Sequence, residues 1–107
     1  MKTKRFTIVW LLLILMGFTG CITVGNEFPV SKLEQIKQGT SRAEVEKIFG
    51  QPWRVGKDSG YRTWTYAHYK VSLFSQPKTR DLVVRFNAEG KVVSYTFNST
   101  YREDENL

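Results

Sequence analysis

The chain has 107 residues, with 16 basic and 10 acidic side chains for a formal charge of +6, and 14% of its residues are aromatic. That is the length of one small domain, and its one histidine and one cysteine exclude an internal disulfide and a His/Cys-rich metal site. The basic residues are scattered among acids instead of forming a patch or stripe, which argues against nucleic acid as a partner.

In chain order, Lys2, Lys4 and Arg5 precede an apolar run from Phe6 to Met16, and no charge recurs before Glu27. A basic start followed by about 7–15 apolar residues and then small ones reads as a secretory signal, since a membrane span needs roughly 20. Residues 1–20 are therefore expected to be a signal peptide. Thr19 and Gly20 place small residues directly before Cys21, and this stretch resembles the lipobox of bacterial lipoproteins, with Phe18 where Leu is usual. The resemblance implies that Cys21 is lipidated and becomes the mature N-terminus, tethered to a membrane without spanning it. Ile22 follows where inner-membrane lipoproteins commonly carry Asp, which implies the periplasmic face of the outer membrane. Removing Lys2, Lys4 and Arg5 leaves 13 of the 16 basic residues against 10 acidic ones, a charge of +3. That mild excess suits a domain held near anionic headgroups.

Residues 21–30 carry Gly25, Asn26 and Pro29 without a sustained period, and the expectation is a lipidated N-terminus with a flexible tether. Ser31-Lys32-Leu33-Glu34 then fits a capping box, and Leu33 with Ile36 suggests a short helix over 31–38 closed by Gly39. Ser41-Arg42-Ala43-Glu44 repeats the box. Val45, Ile48 and Phe49 follow at helical spacing, predicting a second helix over 41–49 that Gly50 and Pro52 terminate.

Beyond the loop from Gln51 to Gly60, the period changes from 3.6 to 2. Tyr61 to Tyr69 reads as a strand with Trp64 and Tyr66 on one face. Asp81 to Phe86 reads as a second, placing Leu82, Val84 and Phe86 together, and Lys91 to Phe97 as a third. The turn Asn87-Ala88-Glu89-Gly90 joins the last two into a hairpin. The expected core is Leu33, Ile36, Val45, Ile48, Phe49, Trp64, Tyr66, Leu82, Val84, Phe86 and Val93. Leu73 and Phe74 either extend the first strand or present an apolar contact at its rim. Residues 31–99 are thus one α+β domain, with two short N-terminal helices packed on one face of a three-stranded antiparallel sheet (α-α-β-β-β). Residues 100–107 form a polar tail expected to fray.

The residues that carry a further resemblance are Leu33 to Ile36 with Gly39-Thr40-Ser41, Phe49-Gly50-Gln51-Pro52, Trp64-Thr65-Tyr66, and Leu82 to Val92. In that order they resemble the SmpA/OmlA, or BamE-like, family of small outer-membrane lipoproteins. The resemblance implies an α-α-β-β-β fold and a role in assembling β-barrels in the outer membrane, with assembly proteins and anionic lipid as contacts. The segment before the first helix is shorter than in the family's β-barrel-machine subunit, and that subunit's Gln-Gly-Asn motif is absent.

No catalytic constellation emerges. His68 is expected to pack, the Glu residues of the boxes to cap, and Gly56, Lys57 and Gly60 lack the spacing of a phosphate loop. The chain is accordingly expected to be no enzyme and to need no cofactor. Exposed aromatics make Trp53 and Phe74 candidate partner contacts. Arg54, Lys57 and Arg62 are a candidate anionic-lipid contact. The leading expectation is a lipid-anchored binding or assembly accessory; the alternative is an envelope inhibitor or ligand-binding module that presents its sheet to a soluble protein.

Overall fold

The computed structural model describes residues 22–107; Cys21 and the expected signal peptide lie outside them. The order of elements is β1 (Ile22–Gly25), a 3-10 helix (Val30–Gln35), α1 (Arg42–Phe49), β2 (Arg54–Asp58), β3 (Tyr61–Ser72), β4 (Ser75–Phe86), β5 (Val92–Ser99) and a short 3-10 helix (Arg102–Asp104). The strands form one five-stranded antiparallel sheet in the order β1-β3-β4-β5, with β2 also paired to β3. The fold is α+β as expected, but the sheet has five strands where three were read.

The second capping box forms its serine half, without the return bond from the Glu44 carboxylate. Ser41 Oγ accepts a hydrogen bond from the Glu44 amide at 3.2 Å, satisfying one of the donors that a helix start leaves free. Gly50 ends the helix at φ 81°, its amide donating to the Glu46 carbonyl at 2.7 Å. The first box does not form: Val30–Gln35 is a 3-10 helix preceded by Pro29, with no side-chain cap. Here burial decides the backbone. Val30, Leu33 and Ile36 are all buried, and a three-residue repeat aligns them on one side only at 3-10 pitch. Gly39 still takes φ 94°, serving a loop clamp in which its amide donates to the Val92 carbonyl and the Val92 amide donates to Thr40.

Two expected loops are strands. Ile22–Gly25, read as tether, pairs with β3 from Ile22↔Val71 to Gly25↔His68. Phe28 and Val30 then enter the core, where Phe28 meets Phe49, Tyr66 and Phe97 at 6.1–6.5 Å between ring centroids. Arg54–Asp58, read as loop, pairs with β3 from Arg54↔Thr65 to Asp58↔Tyr61. Ser59 and Gly60 join them, both at positive φ (51° and 87°), as a two-residue type I′ hairpin turn requires. Between β1 and β2, the Asn26 and Trp53 amides donate to the Ala67 and Thr65 carbonyls.

The helices cover one sheet face. Val45, Leu82, Val84 and Phe86 are completely buried, with Leu33, Ile36, Phe49, Tyr66 and Val92 around them. Ile48 and Trp64 are only partly buried at the margin, Trp64 edge-on to Phe86 at 5.0 Å. Val93 is not a core residue. A register shift pairs Phe86 with Val92 but Arg85 with Ser94, so a bulge seats Val92 inside and then returns Tyr95 and Phe97 to that face. Tyr66 reaches through the core to donate its hydroxyl to the Gly50 carbonyl at 2.8 Å. Burial, reinforced by the Glu46 charge, raises its pKa above the usual phenol range.

The tail is clasped instead of frayed. Asp104 accepts from Arg80 Nε and Nη2 at 2.7 and 3.0 Å and from the Ser99 hydroxyl. The Arg80 guanidinium lies 3.9 Å from the centroid of the Tyr101 ring. The Arg80 hydrogen bonds hold the Asp104 carboxyl below the usual carboxylate range, so the folded state favours the ionised form. That stability is present above about pH 4 and is lost as the pH falls toward the lowered value. Asp104→Asn should cost about 1.5–3 kcal/mol at neutral pH, and the gap to wild type should narrow in urea melts at acidic pH. A pH-independent gap would assign the cost to packing.

Gly25 tests the β1 docking. It sits at φ 81°, and a Cβ there would overlap the Ala67 carbonyl oxygen, far inside van der Waals contact, a clash that backbone cannot easily relieve. Gly25→Ala should undock β1, speeding amide exchange along Val24, Tyr69 and Val71, while the amides of Val84 and Phe86 stay protected.

Candidate functional site

β3 spans twelve residues, and the candidate residues lie at its two ends. At the Tyr61 end, Lys57 pairs directly with Arg62. Strand alternation puts both on the helix-bearing face, beside Arg42 at the start of α1 and the Asn87–Gly90 turn. Arg42, Lys57, Gly60, Arg62, Asn87 and Ala88 line a recess of about 270 Å³. Its cations have no carboxylate within ion-pair distance among the described residues. The acid of β2, Asp58, lies on the other face and approaches Arg85 at 3.8 Å.

The structure therefore divides the expected basic group. Lys57 and Arg62 come together; Arg54 points to the opposite face and approaches the Trp53 ring at 5.7 Å. Arg42 joins the recess although its sequence neighbourhood reads only as a helix start. Its position depends on the turn, because the Arg42 amide donates to the Gly90 carbonyl at 3.0 Å. At Gly90, φ is 76°, and a Cβ would stand 2.8 Å from Arg42 Nε.

Trp53 and Phe74 are both exposed, at 45% and 93%, but they do not meet. Trp53 bonds level with Thr65, whereas Phe74 sits at the β3-β4 turn beyond Ser72. Near Trp53, Val55 on the open edge of β2 is 56% exposed. A separate groove of about 500 Å³ runs between the 3-10 helix and β5, lined by Val30, Leu33, Tyr95, Phe97 and the terminal Leu107 among others; no sequence signal pointed to it, because its walls come from opposite ends of the chain.

His68 is 5% exposed. Its Nε2 is 3.9 Å from Glu27 Oε1, too far for a hydrogen bond, and it lines a small recess with Glu27, Phe28 and Arg80. Among the described residues no cluster of three or more His, Cys, Asp or Glu is placed to hold a metal ion, and no helix is long and apolar enough to cross a membrane.

The fold and its surfaces now meet a comparison with known families. The family model of the outer membrane protein assembly factor BamE domain matches residues 25–96. The chain belongs to the BamE family. The match takes in the 3-10 helix, α1, β2, β3, β4 and most of β5, with the recess and the β3-β4 turn. It stops short of Ser99, Tyr101 and Asp104, so the C-terminal clasp lies outside the BamE match.

The like-charge Lys57–Arg62 pair is a local cost that a BamE domain selected for stability alone would avoid. Lys57→Glu should therefore raise the melting temperature by about 2–4 °C in low salt, with the gain shrinking in 1 M salt as screening shortens to about 3 Å. No gain in low salt would mean that the cations are already neutralised.

Proposed function

We propose that this protein is a lipid-anchored, non-catalytic accessory at the periplasmic face of the outer membrane, acting in the assembly of outer membrane proteins. The observation that carries the reading is the BamE-domain match over residues 25–96. The anchor is Cys21, exposed as the mature N-terminus when residues 1–20 are removed; its support is the signal pattern and the small residues before it. Residues 31–99 are the working domain, joined by the β1 segment that precedes them.

The assembly partner docks on the β2 edge, where Trp53 and Val55 are exposed next to unpaired backbone groups. An aromatic anchor beside an open strand edge offers both burial and main-chain hydrogen bonds. Phe74 belongs to the other end and serves a different contact.

The basic residues change role. With β1 paired from Ile22, little free chain separates Cys21 from the sheet, so the anchor lies at the Val71 end of β3. Arg62 is nine residues away along the strand, roughly 30 Å at about 3.3 Å per residue. Attraction to headgroups fades over about 8 Å at physiological salt. Arg42, Lys57 and Arg62 therefore face acidic groups of a protein partner instead of the leaflet that holds the anchor, and Arg54 supports Trp53.

Photocrosslinking from position 53 in intact cells tests the reading. The expected product contains a component of the outer membrane protein assembly machinery, and Trp53→Ala should weaken its recovery while leaving the melting temperature unchanged. Capture of one soluble envelope enzyme in its place would contradict an assembly role.

A further inference from the structure

The β3-β4 turn combines features that turn chemistry does not require. Ser72 pairs with Ser75, leaving Leu73-Phe74 as a two-residue loop. Such loops favour Gly, Asn or Asp at positive φ, yet Ser59 is the only non-glycine with positive φ among the described residues. Leu73 and Phe74 are 75% and 93% exposed. Two large apolar side chains at the farthest tip of a hairpin are therefore unexplained by folding.

Their neighbours extend the feature. Ile22 and Val24 pair with Val71 and Tyr69, which puts these four on one face of the sheet. Ile22, Val24 and Val71 are exposed at 64%, 38% and 43%, and with Leu73 and Phe74 they make up five of the ten exposed large hydrophobics among the described residues. Lys70 and Lys78 face each other across the hairpin. No acidic residue occurs between Tyr69 and Arg80. The end is apolar at its tip and cationic behind it, the order in which a bilayer presents hydrocarbon and anionic headgroups.

The position of the chain end selects the occupant. Ile22, which directly follows Cys21 in the sequence, stands opposite Val71. The tip projects about two residues, roughly 7 Å, beyond that level, comparable to the 5–10 Å depth that interfacial segments reach. We infer that the Leu73-Phe74 tip inserts into the bilayer interface beside the lipidated N-terminus. It is a second, non-covalent anchor that fixes how the domain stands on the membrane. Only the placement of the tip beside the chain end rests on the Cys21 anchor, and the inference assigns Phe74 a lipid contact in place of a protein one.

The test uses the mature chain on vesicles of phosphatidylethanolamine and phosphatidylglycerol. A polarity-sensitive dye is placed through Ser75→Cys next to the tip, or through Glu89→Cys at the far turn. The dye at 75 should emit to the blue and be quenched several-fold more strongly by spin-labelled lipid than the dye at 89, and Leu73→Ser with Phe74→Ser should abolish the difference. A water-like spectrum at 75 on a chain whose mass includes the lipid adduct would overturn insertion and leave the anchor standing. A mass without the adduct would sink the anchor reading alone. On that chain, lipid contact at 75 still supports insertion, and a water-like spectrum overturns it. A dye shielded in outer-membrane preparations but water-like on protein-free vesicles would assign the tip to a protein.

Discussion

The pairing of β3 on both of its edges is the constraint on which the molecule depends. Along one edge β3 meets β4 almost continuously; along the other it accepts β2 and then β1, with the Trp53 and Asn26 amides between them. A strand this long would otherwise expose a row of backbone donors and acceptors. Saturating it has two effects. Its Tyr66 face is closed by α1 and the 3-10 helix into one core over Leu82, Val84 and Phe86, and the segment Ile22–Gly25 is fastened along β3 from Val71 to His68.

That second effect gives the domain a direction. A BamE domain on a loose tether would present every face to the membrane in turn. Ile22 pairs at the Val71 end, so the apolar tip and Lys70 and Lys78 lie at the end of β3 where the proposed anchor would enter, while Arg42, Lys57 and Arg62 lie at the other end of the same strand. Trp53, which precedes β2 and bonds at the level of Thr65, falls between them. In the proposed account, lipid contact, partner docking and recognition of acidic groups occupy successive levels above the bilayer, and the rigidity of β3 keeps them in order.

Local chemistry decided which parts could be read in advance. The Ser41 cap, the Gly50 stop and the Asn87–Gly90 turn are written within a few residues, and each formed. The Ser31 box has the same letters but failed, because burial of Val30, Leu33 and Ile36 outweighed one capping hydrogen bond. Ile22–Gly25 and Arg54–Asp58 carry too few apolar residues to show a strand period, and only their pairing with a distant segment orders them; the Ser59-Gly60 turn was the one local sign of β2. The bulge that exchanges Val92 for Val93 has no sequence mark either, since both residues suit a core.

The candidate surfaces followed the same rule. Exposure of Trp53 and Phe74 was legible from an excess of aromatics over core positions, whereas the pairing of Lys57 with Arg62 came with β2, a segment read as loop. Arg42 entered the recess through the contact of the α1 start with the Gly90 turn, a tertiary fact. The separation of the basic end from Ile22 required the register of β1, which no local pattern contained. The most direct measurement of the account is paramagnetic relaxation of β3 amides in the lipidated protein on a nanodisc with spin-labelled headgroups. The account predicts enhancement greatest near Val71 and declining steadily to Arg62. Uniform enhancement, or one greatest at Arg62, would contradict it.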